Sequence, residues 1–214
     1  MRIGCTSDWH GNIPDIPECD LLLIAGDIAP HSGSLPDGAF QATWMENVFQ
    51  AWVDEQLRCQ PDLKIVATAG NHDFWARDWF NSTVVRGVKF LLDSSIMCNG
   101  LKIHGCPWSL PFYDWAFMAP EERLEQLLSF GECDILLSHG PPFGILDDAK
   151  GEECGSLALL DYITSREPEL VVCGHIHQQP HPMQKFGRST IINAAYLDNR
   201  YRPYREPIVY ESVH

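Results

Sequence analysis

Five short clusters of aspartate, asparagine and histidine are the residues of this sequence best suited to chemistry: Asp8-Trp9-His10-Gly11-Asn12, Gly26-Asp27, Gly70-Asn71-His72-Asp73, Ser138-His139-Gly140 and Gly174-His175-Ile176-His177. Carboxylate, amide and imidazole donors together suit divalent ions such as Mn²⁺, Fe²⁺ or Zn²⁺, and no cysteine stands among them to suggest a thiolate site. In extended chain, residues two apart point to one side, as Asp8 and His10 would, and likewise His175 and His177. Asp8, His10, Asp27, Asn71, His139, His175 and His177 are too many ligands for one tetrahedral ion. They suffice for two ions that share a carboxylate and keep positions open for water and substrate. Taken singly, Gly-Asp and Asp-x-His are common turn sequences, and Gly-His-x-His is the strongest single block. The ordered set carries the signal.

Each cluster follows an apolar run. Arg2 to Ser7, Asp20 to Ala25, Lys64 to Ala69, Asp134 to Ser138 and Glu169 to Cys173 read as short buried strands. In α/β sheets, ligands bind in the crevice beyond the carboxyl ends of the strands, so distant strand ends can converge on one place. A helix from about Asp37 to Gln60 carries Phe40, Trp44, Met45, Val48, Phe49, Trp52, Val53 and Leu57 at three-and-four spacing. An amphipathic helix between buried strands predicts a parallel crossover. A meander of Val88 to Leu92, Ser95 to Cys98 and Leu101 to Gly105 follows, with Asn99-Gly100 as a hairpin turn. Helices near Pro120 to Phe130 and Ser156 to Arg166, then short strands at Thr190 to Asn193 and Pro207 to Tyr210, complete the pattern. The expected class is α/β, a mixed sheet or two packed sheets flanked by helices, with all of 1–214 in one domain.

Composition narrows the partners. Fifteen Lys and Arg against 29 Asp and Glu leave a formal net charge of −14 at pH 7. Affinity for nucleic-acid backbone rests on basic residues, so long nucleic acids are not expected, while metal ions could still attract a small anion. No apolar run approaches the length of a membrane span, and the opening residues lack the pattern of a signal peptide. The eight cysteines form no CxxC pair and read as reduced thiols of a cytoplasmic protein.

The five blocks make the sequence similar to the calcineurin-like metallophosphoesterases, whose signature is D-x-H, G-D, G-N-H-[DE], H and G-H-x-H in that order. Gly105-Cys106-Pro107-Trp108, Trp115-Ala116-Phe117 and Ser138-His139-Gly140-Pro141-Pro142 resemble the small metallophosphoesterase-domain (MPPED-type) branch, linked to phosphodiester hydrolysis. The resemblance implies a β-sandwich of two mixed sheets with flanking helices. It implies one ion on Asp8, His10, Asp27 and His177, and a second on Asp27, Asn71, His139 and His175, with Asp27 bridging. His72 would face the leaving-group oxygen instead of binding metal. Some animal members carry Gly at the first His of the last block; His175 here implies a complete site.

The expected reaction is hydrolysis of a small phosphodiester, such as a cyclic nucleotide, by in-line attack of a metal-bridging hydroxide. Two ions, most simply Mn²⁺, would serve it, with His72 as proton donor at a pKa near neutrality. Asp73 could orient that imidazole or cap the following turn. Trp9, Trp75, Trp108, Phe112, Tyr113 and Trp115 could stack on a base, Trp108 first among them, and Asn12 or His31 could touch phosphate. Phosphomonoesterase or phosphoprotein phosphatase activity would use the same metals. A non-catalytic scaffold would be expected to lose ligands that this chain retains.

Overall fold

The structure is a computed structural model that describes residues 1–31, 37–177 and 179–212. Two mixed sheets lie face to face. The first has the order β11-β1-β2-β3-β4, built from β1 (Arg2–Thr6), β2 (Leu21–Ala25), β3 (Lys64–Thr68), β4 (Val88–Phe90) and β11 (Ile208–Glu211). The second has the order β5-β6-β7-β8-β10-β9, from β5 (Ser94–Cys98), β6 (Leu101–Cys106), β7 (Ile135–Ser138), β8 (Leu170–Cys173), β9 (Met183–Phe186) and β10 (Ser189–Asn193). Within each sheet the central strands run parallel and the outermost pairs include antiparallel ones.

The central strands β2, β7 and β8 are buried along their whole length because both of their faces are covered. In β2, Leu21, Leu23 and Ala25 point between the sheets, where they meet Ile103, Ile135, Leu137, Leu170 and Val172. Leu22 and Ile24 point outward to the helices α1 (Gly38–Trp44) and α2 (Gln50–Cys59) and the π-helical segment Met45–Phe49 between them. The second sheet repeats the pattern: Leu136 and Val171 face α4 (Glu121–Leu127) and α5 (Leu157–Arg166). Four layers result, and a slip of one residue in any central strand would exchange its two faces.

Several expectations change in detail. The helix expected between the second and third strands is present, and the π segment rotates its apolar face. Met45, Phe49 and Val53 are buried, whereas Phe40 and Val48 are exposed. Val88–Phe90 does not belong to a meander: β4 pairs with β3, and the chain then crosses to the second sheet at β5. Gly105 allows that crossing, because a Cβ there would strike Leu91. The Asn99-Gly100 turn has both residues at positive φ, as a tight hairpin of this twist requires. The short helix α3 (Phe74–Asp78) and strand β9 are too brief to leave a periodic signal.

Phe49 ties the π segment to the first metal-type cluster, stacking on Trp52 at 5.4 Å and meeting the buried ring of Trp9 at 5.9 Å. Removing that ring in Phe49→Ala should cost about 3–5 kcal/mol. Urea denaturation should record it as a lower midpoint at unchanged slope. A loss below about 1 kcal/mol would mean that the segment closes over the gap.

Candidate metal centre

All five clusters lie just beyond the carboxyl ends of parallel strands: β1, β2 and β3 in one sheet, β7 and β8 in the other. The loops after β1 and β2 lie side by side, with Asp8 N–H donating to Gly26 O at 3.0 Å and His10 N–H to Asp27 O at 2.9 Å. Across the sandwich, His139 Nδ1 meets Ala25 O at 2.8 Å, and His175 N–H donates to the Asp8 carboxylate at 3.0–3.1 Å. The ends of two sheets are thereby drawn together.

Local backbone bends to aim the side chains. Asp8, His10, Asp27 and His175 all have positive φ, between 44° and 66°. Such conformations are costly for residues other than glycine and gather at functional sites. Two glycines of the motifs are needed for close approach. A Cβ on Gly70 would strike the Asp27 carboxylate and the His139 ring, and one on Gly174 would strike Ser7 and Asp8.

The donor atoms converge in two groups, Asp8 with His10 and His177, and Asp8 with Asp27 and His139; within each group they lie within 4.8 Å of one another. Asp27 Oδ1 accepts the backbone N–H of His72 at 2.7 Å. This leaves Oδ2 between His10 Nε2 at 3.6 Å and His139 Nε2 at 3.5 Å. Asn71 Oδ1 approaches His139 Nε2 at 2.8 Å, and the His175 ring stands 5.1 Å from that of His139. Five of the expected residues thus form the two groups, and Asn71 and His175 lie beside His139.

The arrangement fits cations. His139 commits its Nδ1 hydrogen to the Ala25 carbonyl, so its Nε2 turns a lone pair toward the oxygens of Asn71 and Asp27. His177 is fixed in the same way, with Nδ1 on Asp198 O at 3.0 Å and Nε2 toward Asp8 at 3.2 Å. The buried His10 Nδ1 and Asn71 Nδ2 have no hydrogen-bond partner. Turning the Asn71 amide over would satisfy His139 and orphan the carbonyl oxygen instead, so a cation answers the site better than a flip. The two groups of ligands make up a dinuclear metal-binding site.

Charge follows from burial. Burial would raise Asp8, but the His177 hydrogen bond and the surrounding imidazoles outweigh it and hold the carboxyl well below its usual range. Burial, then Asp8 and Asp73, push Asp27 well above that range. Two neighbouring buried carboxylates cannot both ionise cheaply without a cation. Burial also lowers His10, and His175 to about 3. Burial opposes a proton on His177, yet Asp8 overcomes it and raises that imidazole.

Other expected residues fall elsewhere. His72 lies beside the ligands, its ring 5.1 Å from His10 and 4.2 Å from Trp115, but burial and then His31 lower it to about 3, not near neutrality. Asp73 neither orients that imidazole nor caps α3. Its buried carboxylate accepts N–H groups from Ile28, Ala29 and Gly70 and the indole of Trp75, bracing the second cluster against the third. Asn12 turns its amide back to the carbonyls of Trp9 and His10, closing a turn outside the cleft. Trp108 likewise does not line the large cleft, although His175 borders the same small cavity as it does. Its indole donates to Asp93 at 2.9 Å, and it borders a cavity of only about 10 Å³, room for about one water. Trp9 and Trp75 are buried in the core. Trp115 is the tryptophan that lines the cleft, along with Tyr201, which the motif spacing did not single out.

Two measurements check the centre. Because Asp27 Oδ2 stands between His10 and His139, Asp27→Ala should reduce bound metal from about two ions per chain toward none by elemental analysis; full occupancy in that variant would show that Asp27 holds neither ion. Asp27 and His177 are the two ligands whose pKa values are raised, Asp27 by burial and His177 by Asp8, which favours their protonated forms in the metal-free protein, and metal must displace those protons. Metal affinity should therefore rise with pH, and calorimetry in buffers of different ionisation enthalpy should show proton release. Heats independent of buffer would contradict this.

The family model for calcineurin-like phosphoesterases matches residues 1–179. Human Metallophosphoesterase domain-containing protein 1 is 30% identical in an alignment covering 97% of this chain and 70% of the human protein. A UPF0046 protein of Caenorhabditis elegans is 27% identical across 99% of this chain and 80% of its own. Among solved structures, phosphopantetheinyl hydrolase from Mycobacterium tuberculosis has a TM-score of 0.53 at 16% identity, covering 96% of this chain and 95% of that one. A second solved structure, TT1561 of Thermus thermophilus, has a TM-score of 0.54 at 17% identity, covering 90% and 88%. These two likenesses speak for the fold alone. With the five blocks, the two facing sheets and the paired ligand groups in agreement, the chain belongs to the calcineurin-like phosphoesterase family.

Proposed function

We propose that this chain hydrolyses small phosphodiesters, a cyclic nucleotide being the first choice, with two divalent ions as cofactor. The observation that carries this reading is the cleft above the ligands. It encloses about 740 Å³, and His10, Asp27, His72, His175 and His177 line it. That volume is typical of sites for small molecules. Lys150 is the lone Lys or Arg among the described residues that line it, and Asp148 and Glu152 also border it. A phosphomonoester dianion or a nucleic-acid strand gains from several basic side chains, whereas a diester brings one negative charge that two ions can offset.

The aromatic rings lining the cleft favour a substrate with a second organic group. Trp115 lies 4.9 Å from Tyr113 and 6.1 Å from Phe112, two rings that are 62% and 71% exposed. Exposed rings beside a site mark a binding surface. Trp115 takes the stacking role that the sequence suggested for Trp108. In this reading Asp8, His10, Asp27 and His177 hold one ion, and Asp27, Asn71, His139 and His175 the other. Oxygen and imidazole donors without thiolate suit Mn²⁺, with Fe or Zn as substitutes. When bound, such ions acidify water and neutralise phosphoryl oxygens. The eight unpaired thiols support a reducing, cytoplasmic setting.

His72 supplies the leaving-group proton in this scheme. Its backbone is pinned at both ends, N–H to Asp27 and carbonyl to the Gln41 amide at 2.8 Å. Burial keeps the ring neutral without substrate, and an entering phosphate anion favours its protonated form.

The deciding experiment is a panel of diesters and monoesters with metal-stripped, then Mn²⁺-reconstituted protein. Diesters should turn over faster, and faster monoester turnover would assign a phosphomonoesterase. In the same assays His72→Ala should lose about 10²–10⁴-fold in kcat on an alkyl ester. The loss should be much smaller on a p-nitrophenyl ester, whose phenolate departs unaided. Equal losses on both would mean that His72 stabilises charge and donates no proton.

A further inference from the structure

Tyr201 sits in the turn that follows Asp198, beside the metal centre, and its backbone is strained. Its φ is +58°, the left-handed region, which is an outlier for a bulky aromatic residue. Core packing does not account for this, because Tyr201 is 46% exposed. The turn is held by Asp198. The Asp198 N–H donates to Arg202 O at 2.8 Å, and the Tyr201 N–H donates to Asp198 O at 2.9 Å. The Asp198 carboxylate accepts the backbone N–H of Arg200 and Arg202 and two guanidinium N–H groups of Arg202 at 2.7–2.9 Å. Its carbonyl also receives the Nδ1 hydrogen of His177. One residue thus orients a metal ligand and holds the tyrosine in its costly conformation.

The Tyr201 ring meets His10 edge to face at 4.8 Å, and His31 and His177 each at 5.8 Å, and it lines the cleft. His10 therefore has His72 on one contact and Tyr201 on another. Strain maintained by dedicated hydrogen bonds, at a ring placed over metal ligands, is the pattern of a residue kept for binding. The cleft is poor in cations, and a phenol is an O–H donor that brings no charge. Resting on the phosphoester reading above, we infer that Tyr201 is a substrate-contacting residue: its hydroxyl donates a hydrogen bond to a non-bridging phosphoryl oxygen while its ring closes the cleft over His10.

Tyr201→Phe keeps the ring and removes only the donor. In Mn²⁺-loaded protein this variant should lose about 10- to 100-fold in kcat/KM on bis(p-nitrophenyl) phosphate, the usual worth of a hydrogen bond to a charged group. Calorimetric affinity for inorganic phosphate should weaken by about tenfold, and metal content should equal that of the parent. Unchanged turnover and phosphate affinity would overturn the assignment, as would a loss that tracks lost metal. Should the parent protein hydrolyse no phosphoester, the proposed function falls; weaker phosphate binding in Tyr201→Phe then upholds the contact, and equal or absent binding overturns it too.

Discussion

Asp8 and Asp27 are buried carboxylates with ligand atoms within 4.8 Å of each other, and the architecture around them exists to make that juxtaposition tolerable. Two such groups cannot both be charged in a dry interior without a compensating cation. The surrounding residues divide the task. Asp27 Oδ1 is satisfied by the His72 backbone, while Oδ2 is left facing two imidazoles. Asp8 accepts the His175 backbone N–H and faces His177. Imidazoles that burial keeps neutral, His10 and His175, are ready to donate lone pairs.

Holding that pair in place requires backbone conformations that the chain would not choose unaided. Four ligand-bearing residues have positive φ, and Gly70 and Gly174 leave room where any side chain would collide with a carboxylate. The strain is offset by rigid surroundings. Fully covered parallel strands end at the site, Asp73 ties the loop after β2 to the loop after β3, and Trp9 anchors the first cluster in the core. The same logic extends outward to Asp198, whose backbone orients His177 and whose side chain holds the Tyr201 turn. Preorganisation of this kind lets a site meet its cations and substrate without rearranging.

Much of this was legible in the residues. Strands apolar on both faces announced a sheet covered on both sides, as Leu21 to Ala25 show. Donor type and the position of each cluster after an apolar strand pointed to Asp8, His10, Asp27, His139 and His177, whose donor atoms converge. The helix after β2 was legible as a helix, but its phase was not. A π segment depends on how Met45 and Phe49 pack against Trp9 and the sheet, which a regular 3.6-residue period cannot express.

The sequence by itself determined the donors, their order and the strands that carry them, because these follow from side-chain chemistry and local periodicity. Only the tertiary structure decided which aromatic ring faces the cleft, sending Trp108 to Asp93 and Trp115 to His72. It likewise gave Asp73 a bracing role and Asn12 a turn to close, and it brought Tyr201 from far along the chain to the edge of His10. The physical reason is direction. A motif states which groups are present, while the direction in which each points is set by contacts between segments as distant in the chain as His10 and Tyr201, which no local pattern encodes.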